Sequence, residues 1–132
     1  MDGTIAALQN FFIYFGTALG LVGLYFLAYT LATAHNEFAL IRQNVVSAAL
    51  ALGLSLIGFA LPLSSAITRS QSVTDCLVWG VVAIVVQVLV YWLVRLVVPR
   101  LSERIAAGEL SAALFLGASS LAAGVINAAS MV

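Results

Sequence analysis

Polar and charged positions divide the chain into four long apolar segments. They run from about Asn10 to Thr33, from about Val45 to Ile67, from about Cys76 to Val98 and from about Leu110 to Val132. Each is long enough to cross about 30 Å of hydrocarbon as a helix. None alternates with the period of two that a barrel strand needs, and lipid admits only helices and closed barrels. The pattern predicts an all-α polytopic membrane protein with four transmembrane helices, in a single membrane domain of residues 1–132.

The composition also indicates a protein that lies in lipid. Of the 132 residues, 64% are hydrophobic and 8% are charged, whereas about a quarter of a soluble domain is charged. The net charge of +0 provides no basic face for a nucleic acid, so we expect the lipid bilayer as the surroundings and no nucleic-acid partner. One cysteine and one histidine are too few for a structural zinc site. No metal, cofactor or catalytic residue is predicted.

The arginines predict the orientation of the spans. Four of the five lie in or beside the loops of residues 34–44 and 99–109: Arg42, Arg95, Arg100 and Arg104. The other side of the membrane holds Arg69. Because short cytoplasmic loops are enriched in Lys and Arg, both loops are expected in the cytoplasm and both termini in the periplasm. The start of the chain lacks the positive region of a signal peptide, so we expect the first span to be retained.

The sequence matches itself at an offset of 64 residues. Residues 47–55 fall on residues 111–119 with identity at seven of nine positions. This predicts two parallel helical-hairpin repeats, of about residues 5–68 and about residues 69–132, related by an axis along the membrane normal.

Small residues are expected where the helices touch. Gly16 and Gly20 lie four residues apart on the first span, and Gly53 and Gly117 are equivalent positions of the repeat. Such residues let helix backbones approach closely in lipid. The contacts are expected within one chain, and a homo-oligomer is a second interpretation.

Few polar side chains are candidates for a function. His35 and Glu37 lie in the first connection, where the alternatives are a switch that titrates near neutral pH and an interfacial loop whose asparagines cap the next helix. Gln87 lies near the middle of the third span. It is expected either to bond a serine or Asn127 of another span or to line a pore.

A second candidate lies at the outer ends of the spans. Pro62 is expected to break the second helix and free a carbonyl for Ser64, Ser65 or a ligand. The offset of 64 residues brings Asn127 to the same depth. Together Ser64, Ser65 and Asn127 would frame a small polar vestibule, and the alternative is a structural kink with a hydrogen-bonded asparagine. No histidine or carboxylate lies at the depth of these serines, so we do not expect an enzyme.

The order of these features resembles a known family. The features are the segments 35–37, 40–41 and 62–66, Asp75 with Trp79 and Gly80, then Gln87, Pro99 and the ending 124–131. In this combination the chain is similar to the YjfL-type family of small bacterial inner-membrane proteins. The resemblance implies a four-span inner-membrane protein built from two copies of a two-helix unit. It implies no activity, and gene neighbourhood in that family points to envelope-stress partners.

Two functions are compatible with the sequence. The first is a non-catalytic scaffold or partner-binding subunit in envelope maintenance or stress. The second is an oligomeric channel or transport subunit for a small polar solute or ion. They differ in whether the polar side chains face a continuous water-filled path or bond to neighbours inside a dry bundle.

Overall fold

The described elements are all helices. A computed structural model of the protein describes residues 2–33 and 37–131, with the side chains of Asp2 and Glu37 outside the description. In order, the helices are α1 (Asp2–Ala32), α2 (Glu37–Arg42), α3 (Val46–Arg69), α4 (Val73–Val97), α5 (Leu101–Ala106) and α6 (Leu110–Ser130). The long helices α1, α3, α4 and α6 are each long and apolar enough to cross a membrane. The predicted all-α fold with four candidate spans is confirmed.

The observed helices follow the predicted spans, with one large difference at the start of α1. The sequence predicted a span from about Asn10, whereas α1 begins at Asp2 and has 31 residues. At 1.5 Å per residue this helix is about 46 Å long, well beyond the hydrocarbon thickness. The polar pair Gln9 and Asn10 marks a change in polarity, but it does not stop a helix.

Three of the long helices form the core of the bundle. The most extensive packing is between α3 and α6, and α4 packs against both of them. In contrast, α1 packs mainly on α4, touches α3 only slightly and is the least buried of the four. The first predicted hairpin, α1 with α3, is therefore much more open than the second, α4 with α6.

Aromatic side chains attach α1 to the core. The ring of Tyr25 stacks on Phe59 of α3 with centroids 4.6 Å apart, and Tyr29 meets Tyr91 of α4 edge to face at 5.9 Å. All four rings are at most 2% exposed. Pairs of this kind contribute about 0.5–1.5 kcal/mol beyond the area they bury. The face of α1 that carries Tyr25 and Tyr29 thus packs on the core, while the opposite face of the helix is exposed.

Close backbone approach between α3 and α6 occurs at Gly58 and Gly124. A Cβ atom at Gly124 would lie 2.0 Å from the Gly58 oxygen, and one at Gly58 would lie 2.4 Å from the Ser120 oxygen. Because these neighbours are backbone atoms, a side chain at either position forces the helices apart. Only glycine fits this crossing.

The predicted contact glycines are partly wrong. A Cβ at Gly117 would meet the Leu54 side chain at 2.4 Å, as expected of a contact position. Gly53, Gly16 and Gly20, however, have open space around their Cα atoms. The packing of α3 on α6 rotates Gly53 to the outside although Gly117, its equivalent, points inward.

Short helices and matching turns occupy both predicted cytoplasmic loops. The offset of 64 residues carries α2 onto α5 and the start of α3 onto the start of α6. Positive φ angles of 61° at Asn44 and 91° at Gly108 make the two turns. In each, the next N–H donates to the oxygen five residues back at 3.0 Å. These matches support the predicted duplication, which stays a prediction.

The predicted break at Pro62 is wrong. The α3 helix continues past Pro62 to Arg69, with Pro62 buried inside it. Proline removes a hydrogen bond from a helix without ending it when surrounding helices satisfy the freed groups. Here the freed group accepts a hydrogen bond from a side chain of another span, Gln87 of α4.

Candidate functional site

The polar centre of the bundle is built around Gln87. This side chain projects from α4 into the three-helix core and is 1% exposed. Its Nε2 donates to two backbone oxygens, that of Gly58 on α3 and that of Ser120 on α6, each at 3.2 Å. Both amide hydrogens are thus used by neighbouring helices. The Oε1 atom is buried and has no partner among the described residues.

Pro62 explains why Gly58 needs this donor. In an α-helix the carbonyl of residue i accepts from the N–H of residue i+4, and for Gly58 that residue is Pro62, which has no N–H. The Gly58 oxygen would therefore remain unpaired in the membrane interior. Gln87 supplies the missing hydrogen from α4. The sequence correctly predicted a freed carbonyl, but it named Ser64, Ser65 or a ligand as the partner.

Serines complete the same interior layer. Ser55 of α3 donates its hydroxyl to that of Ser120 on α6 at 3.2 Å, and both residues are buried. At the end of the bundle where α5 lies, Ser47 donates to the Ile105 oxygen at 2.6 Å, and the hydroxyls of Tyr91 and Ser102 share a hydrogen bond. Interior hydroxyls thus bond between elements. Their hydrogen bonds link different helices of the bundle.

Exposed hydroxyls on the spans bond within their own helices. Thr17 donates to the Ile13 oxygen at 2.7 Å, Thr68 to the Ser64 oxygen at 2.6 Å and Ser130 to the Ile126 oxygen at 2.8 Å. A hydroxyl paired in this way faces lipid without an unsatisfied donor. These three positions therefore need no water path.

The residues of the predicted vestibule are not joined by hydrogen bonds in the described part of the chain. Ser64 is exposed, while Ser65 and Asn127 are half-buried. No hydrogen bond between Asn127 and either serine is present in the described part of the chain, and the Nδ2 of Asn127 is buried without a partner there. Ser65 instead lines a different cavity. Asn127 is not among the residues that line this cavity, and the vestibule stays a prediction.

That cavity lies at the end of the bundle where α3 ends and α4 begins. It has a volume of about 120 Å³ and is lined by Ser65, Ala66, Arg69, Ser70, Asp75, Trp79 and Met131. Asp75 is held in place by a cap, because its N–H donates to the Ser72 hydroxyl at 3.1 Å and its carboxylate accepts from the Gln71 N–H at 3.4 Å. We refer to this space and its seven lining residues as the α3–α4 cavity.

A larger apolar groove separates α1 from the end of α3. It has a volume of about 380 Å³ and is lined by Asn10, Phe11, Tyr14, Phe15, Ala18 and Ile67. The groove follows from the open first hairpin, in which α1 packs on α4 rather than on α3.

The remaining candidates lie in the first connection. His35 is outside the described residues, and Glu37 begins α2 with its side chain outside the description. Their roles stay predictions. Among the described residues, no three His, Cys, Asp or Glu side chains come together in a way that would hold a metal ion.

Sequence reasoning missed Gly58 and the pair of Arg69 and Asp75. A signal for Gly58 was present, since it lies four residues before the proline of its own span. The motif Ser72-x-x-Asp75 at the start of an apolar run is likewise typical of a helix cap. The cavity itself had no local signal, because it also needs the end of α6.

Comparison with known proteins assigns the chain to a family. The model of the Domain of Unknown Function (DUF350) matches residues 3–131. UPF0719 inner membrane protein YjfL of Escherichia coli K12 is 40% identical over 125 residues, which cover 95% of both chains. The protein of the same name from E. coli O157:H7 matches equally. No solved structure matches the chain. The chain is therefore similar to an inner-membrane protein along nearly its whole length and belongs to the DUF350 family.

Proposed function

We propose that the protein is a non-catalytic inner-membrane scaffold, a partner-binding subunit in envelope maintenance or stress. The observation that carries the proposal is the use of Gln87. Its two amide hydrogens bond the Gly58 and Ser120 oxygens in the core, so the most polar side chain of the spans' interior serves packing. A pore through the bundle would need such groups to face water instead.

Reactivity of introduced cysteines tests the dry interior. In a Cys76→Ala background, Ser55→Cys and Ser120→Cys place nearly isosteric thiols in the interior layer, where both serines are buried. Val85→Cys is the lipid-facing control and Ser72→Cys the aqueous control, since both positions are exposed. With a charged, water-soluble thiol reagent applied from either side of the membrane, a scaffold should react at position 72 alone. Reaction at positions 55 and 120 would contradict the proposal.

Partner binding needs a positive measurement as well. A photo-crosslinking amino acid at Phe12 of α1 or at Val125 of α6 samples two exposed faces of the bundle. A scaffold should give a discrete product with a second protein in intact cells, identified by mass spectrometry. Adducts with copies of this 13.8 kDa chain alone would favour a homo-oligomer over a scaffold.

The second candidate function is an oligomeric channel or transport subunit for a small polar solute or ion. The observation that favours it is the Nδ2 of Asn127, which is buried without a partner among the described residues. In an oligomer such an amide would gain water or a solute. Flux into proteoliposomes, with Asn127→Leu as the matched variant, distinguishes this candidate from the scaffold.

A further inference from the structure

The α3–α4 cavity combines two opposite charges that do not pair. Arg69 comes from the last turn of α3 and Asp75 from the first turn of α4. In the described part of the chain, Arg69 has no ion-pair or hydrogen-bond partner for its guanidinium. The Asp75 carboxylate accepts one long bond of 3.4 Å from a backbone N–H, which leaves most of its acceptor capacity unused.

The position of the cavity limits what can occupy it. It lies where one candidate span ends at Arg69 and the next begins at Val73, so it faces the boundary between hydrocarbon and water. Trp79, one turn after Asp75 on α4, also lines it, and tryptophan is enriched at this depth because its ring is amphipathic. A ligand here meets lipid headgroups at their own level.

The size of the cavity also limits the ligand. A volume of about 120 Å³ corresponds to about four water molecules at their liquid volume. It is smaller than the several hundred cubic ångströms of a drug-sized site. A small charged group fits this space, and an acyl chain attached to it would lie outside, along the exposed apolar face of α4 at Leu77 and Val78.

We propose that the α3–α4 cavity binds the headgroup of a phosphoethanolamine lipid. Arg69 provides the planar fork that matches two phosphate oxygens. Asp75 accepts hydrogen bonds from the primary ammonium, and Ser65 also lines the cavity. An anionic lipid without an ammonium would leave Asp75 unpaired beside its phosphate. A trimethylammonium headgroup would bring a positive charge without N–H donors.

Lipid selectivity of the whole chain provides the test. Delipidated protein in detergent is titrated with phosphatidylethanolamine, phosphatidylcholine or phosphatidylglycerol of identical acyl chains, and bound lipid is counted by native mass spectrometry. We expect phosphatidylethanolamine to bind about tenfold more tightly than either of the others, the effect of one charge-assisted hydrogen bond. Equal binding of the three lipids, or tighter binding of phosphatidylglycerol, would overturn the proposal without any variant.

Matched variants locate the site. Arg69→Gln should weaken phosphatidylethanolamine binding about tenfold, and Asp75→Asn should abolish the preference over phosphatidylglycerol. Arg95→Gln and Glu103→Gln make the same charge changes at the other end of the bundle, where both side chains are exposed, and should bind as the parent does. Thermal melting in lipid-free detergent checks that each variant is folded. Folded Arg69 and Asp75 variants that keep the parent's selectivity would place lipid binding elsewhere and contradict the proposal.

Discussion

The side-chain nitrogen of Gln87 lies 3.2 Å from the carbonyl oxygen of Gly58, the acceptor that Pro62 deprives of its helical donor. A hydrogen-bond donor is thus missing on one helix and supplied by another. The proline is on α3, and the compensating amide is on α4, where it also reaches Ser120 on α6. The same few atoms therefore join all three helices of the core.

Replacing Gln87 by Leu should lower the free energy of unfolding by about 1–3 kcal/mol, because it strands the buried Gly58 oxygen. Unfolding in mixed micelles with increasing denaturing detergent measures the loss. Val85→Leu, at an exposed position on the same helix, is the control and should be close to neutral.

The role of Pro62 in this cost can be isolated by a double-mutant cycle. Pro62→Ala restores an N–H four residues after Gly58, so Gln87→Leu should cost less in that background, with a coupling energy of about 1 kcal/mol. Strictly additive costs would mean that the amide does not compensate for the proline.

Glycines of α3 and α6 should differ sharply in their tolerance of a methyl group. Gly124→Ala places a Cβ 2.0 Å from the Gly58 oxygen and should destabilise the bundle by about 1–3 kcal/mol through overpacking. Gly53→Ala has open space and should be neutral or slightly stabilising, since alanine favours helix more than glycine. Equal stability of the two variants in the same unfolding assay would argue against the observed crossing.

Asn127→Leu should leave stability unchanged or raise it slightly, because the buried Nδ2 has no described partner to strand. Thermal melting measures this. A loss of more than about 1 kcal/mol would reveal a hydrogen-bonded asparagine. The same variant in a flux assay reports on the channel alternative.

Orientation can be tested with topology reporters. A reporter in the connection that contains α5 should be cytoplasmic, and one fused after Val132 should be periplasmic, because the connection holds Arg100 and Arg104. The reverse pattern would contradict the arginine argument. Arg69→Gln increases the excess of arginines on the predicted cytoplasmic side and Arg42→Gln decreases it. These two variants are therefore the informative ones.

The sequence predicted the spans well because bilayer thickness and backbone satisfaction leave few choices. It did not predict α5, a short helix that depends on burying Leu101 and Ile105 against the core. Such a helix is stabilised by tertiary contacts rather than by its own six residues. Apolar length is a local property, whereas these contacts are not.

The interior site could be predicted only in part for the same reason. That Pro62 leaves the Gly58 carbonyl without a donor follows from helix geometry alone. That Gln87 repairs it depends on how α4 is rotated and how far it is shifted along α3. The exposed position of Gly53, despite its match to Gly117, shows that repeated residues need not have repeated surroundings.

The arrangement of partners has a consequence for biosynthesis. Within this chain α1 is synthesised before α4, its main contact, so it must wait in lipid while α3 and α4 are made. From Gly3 to Ala32 it carries no charged side chain, which allows a single helix to remain there. α3 also waits, with its Gly58 carbonyl unpaired until α4 arrives. Assembly therefore depends on the second half of the chain, and a nascent chain that stops before Gln87 should remain as separate helices.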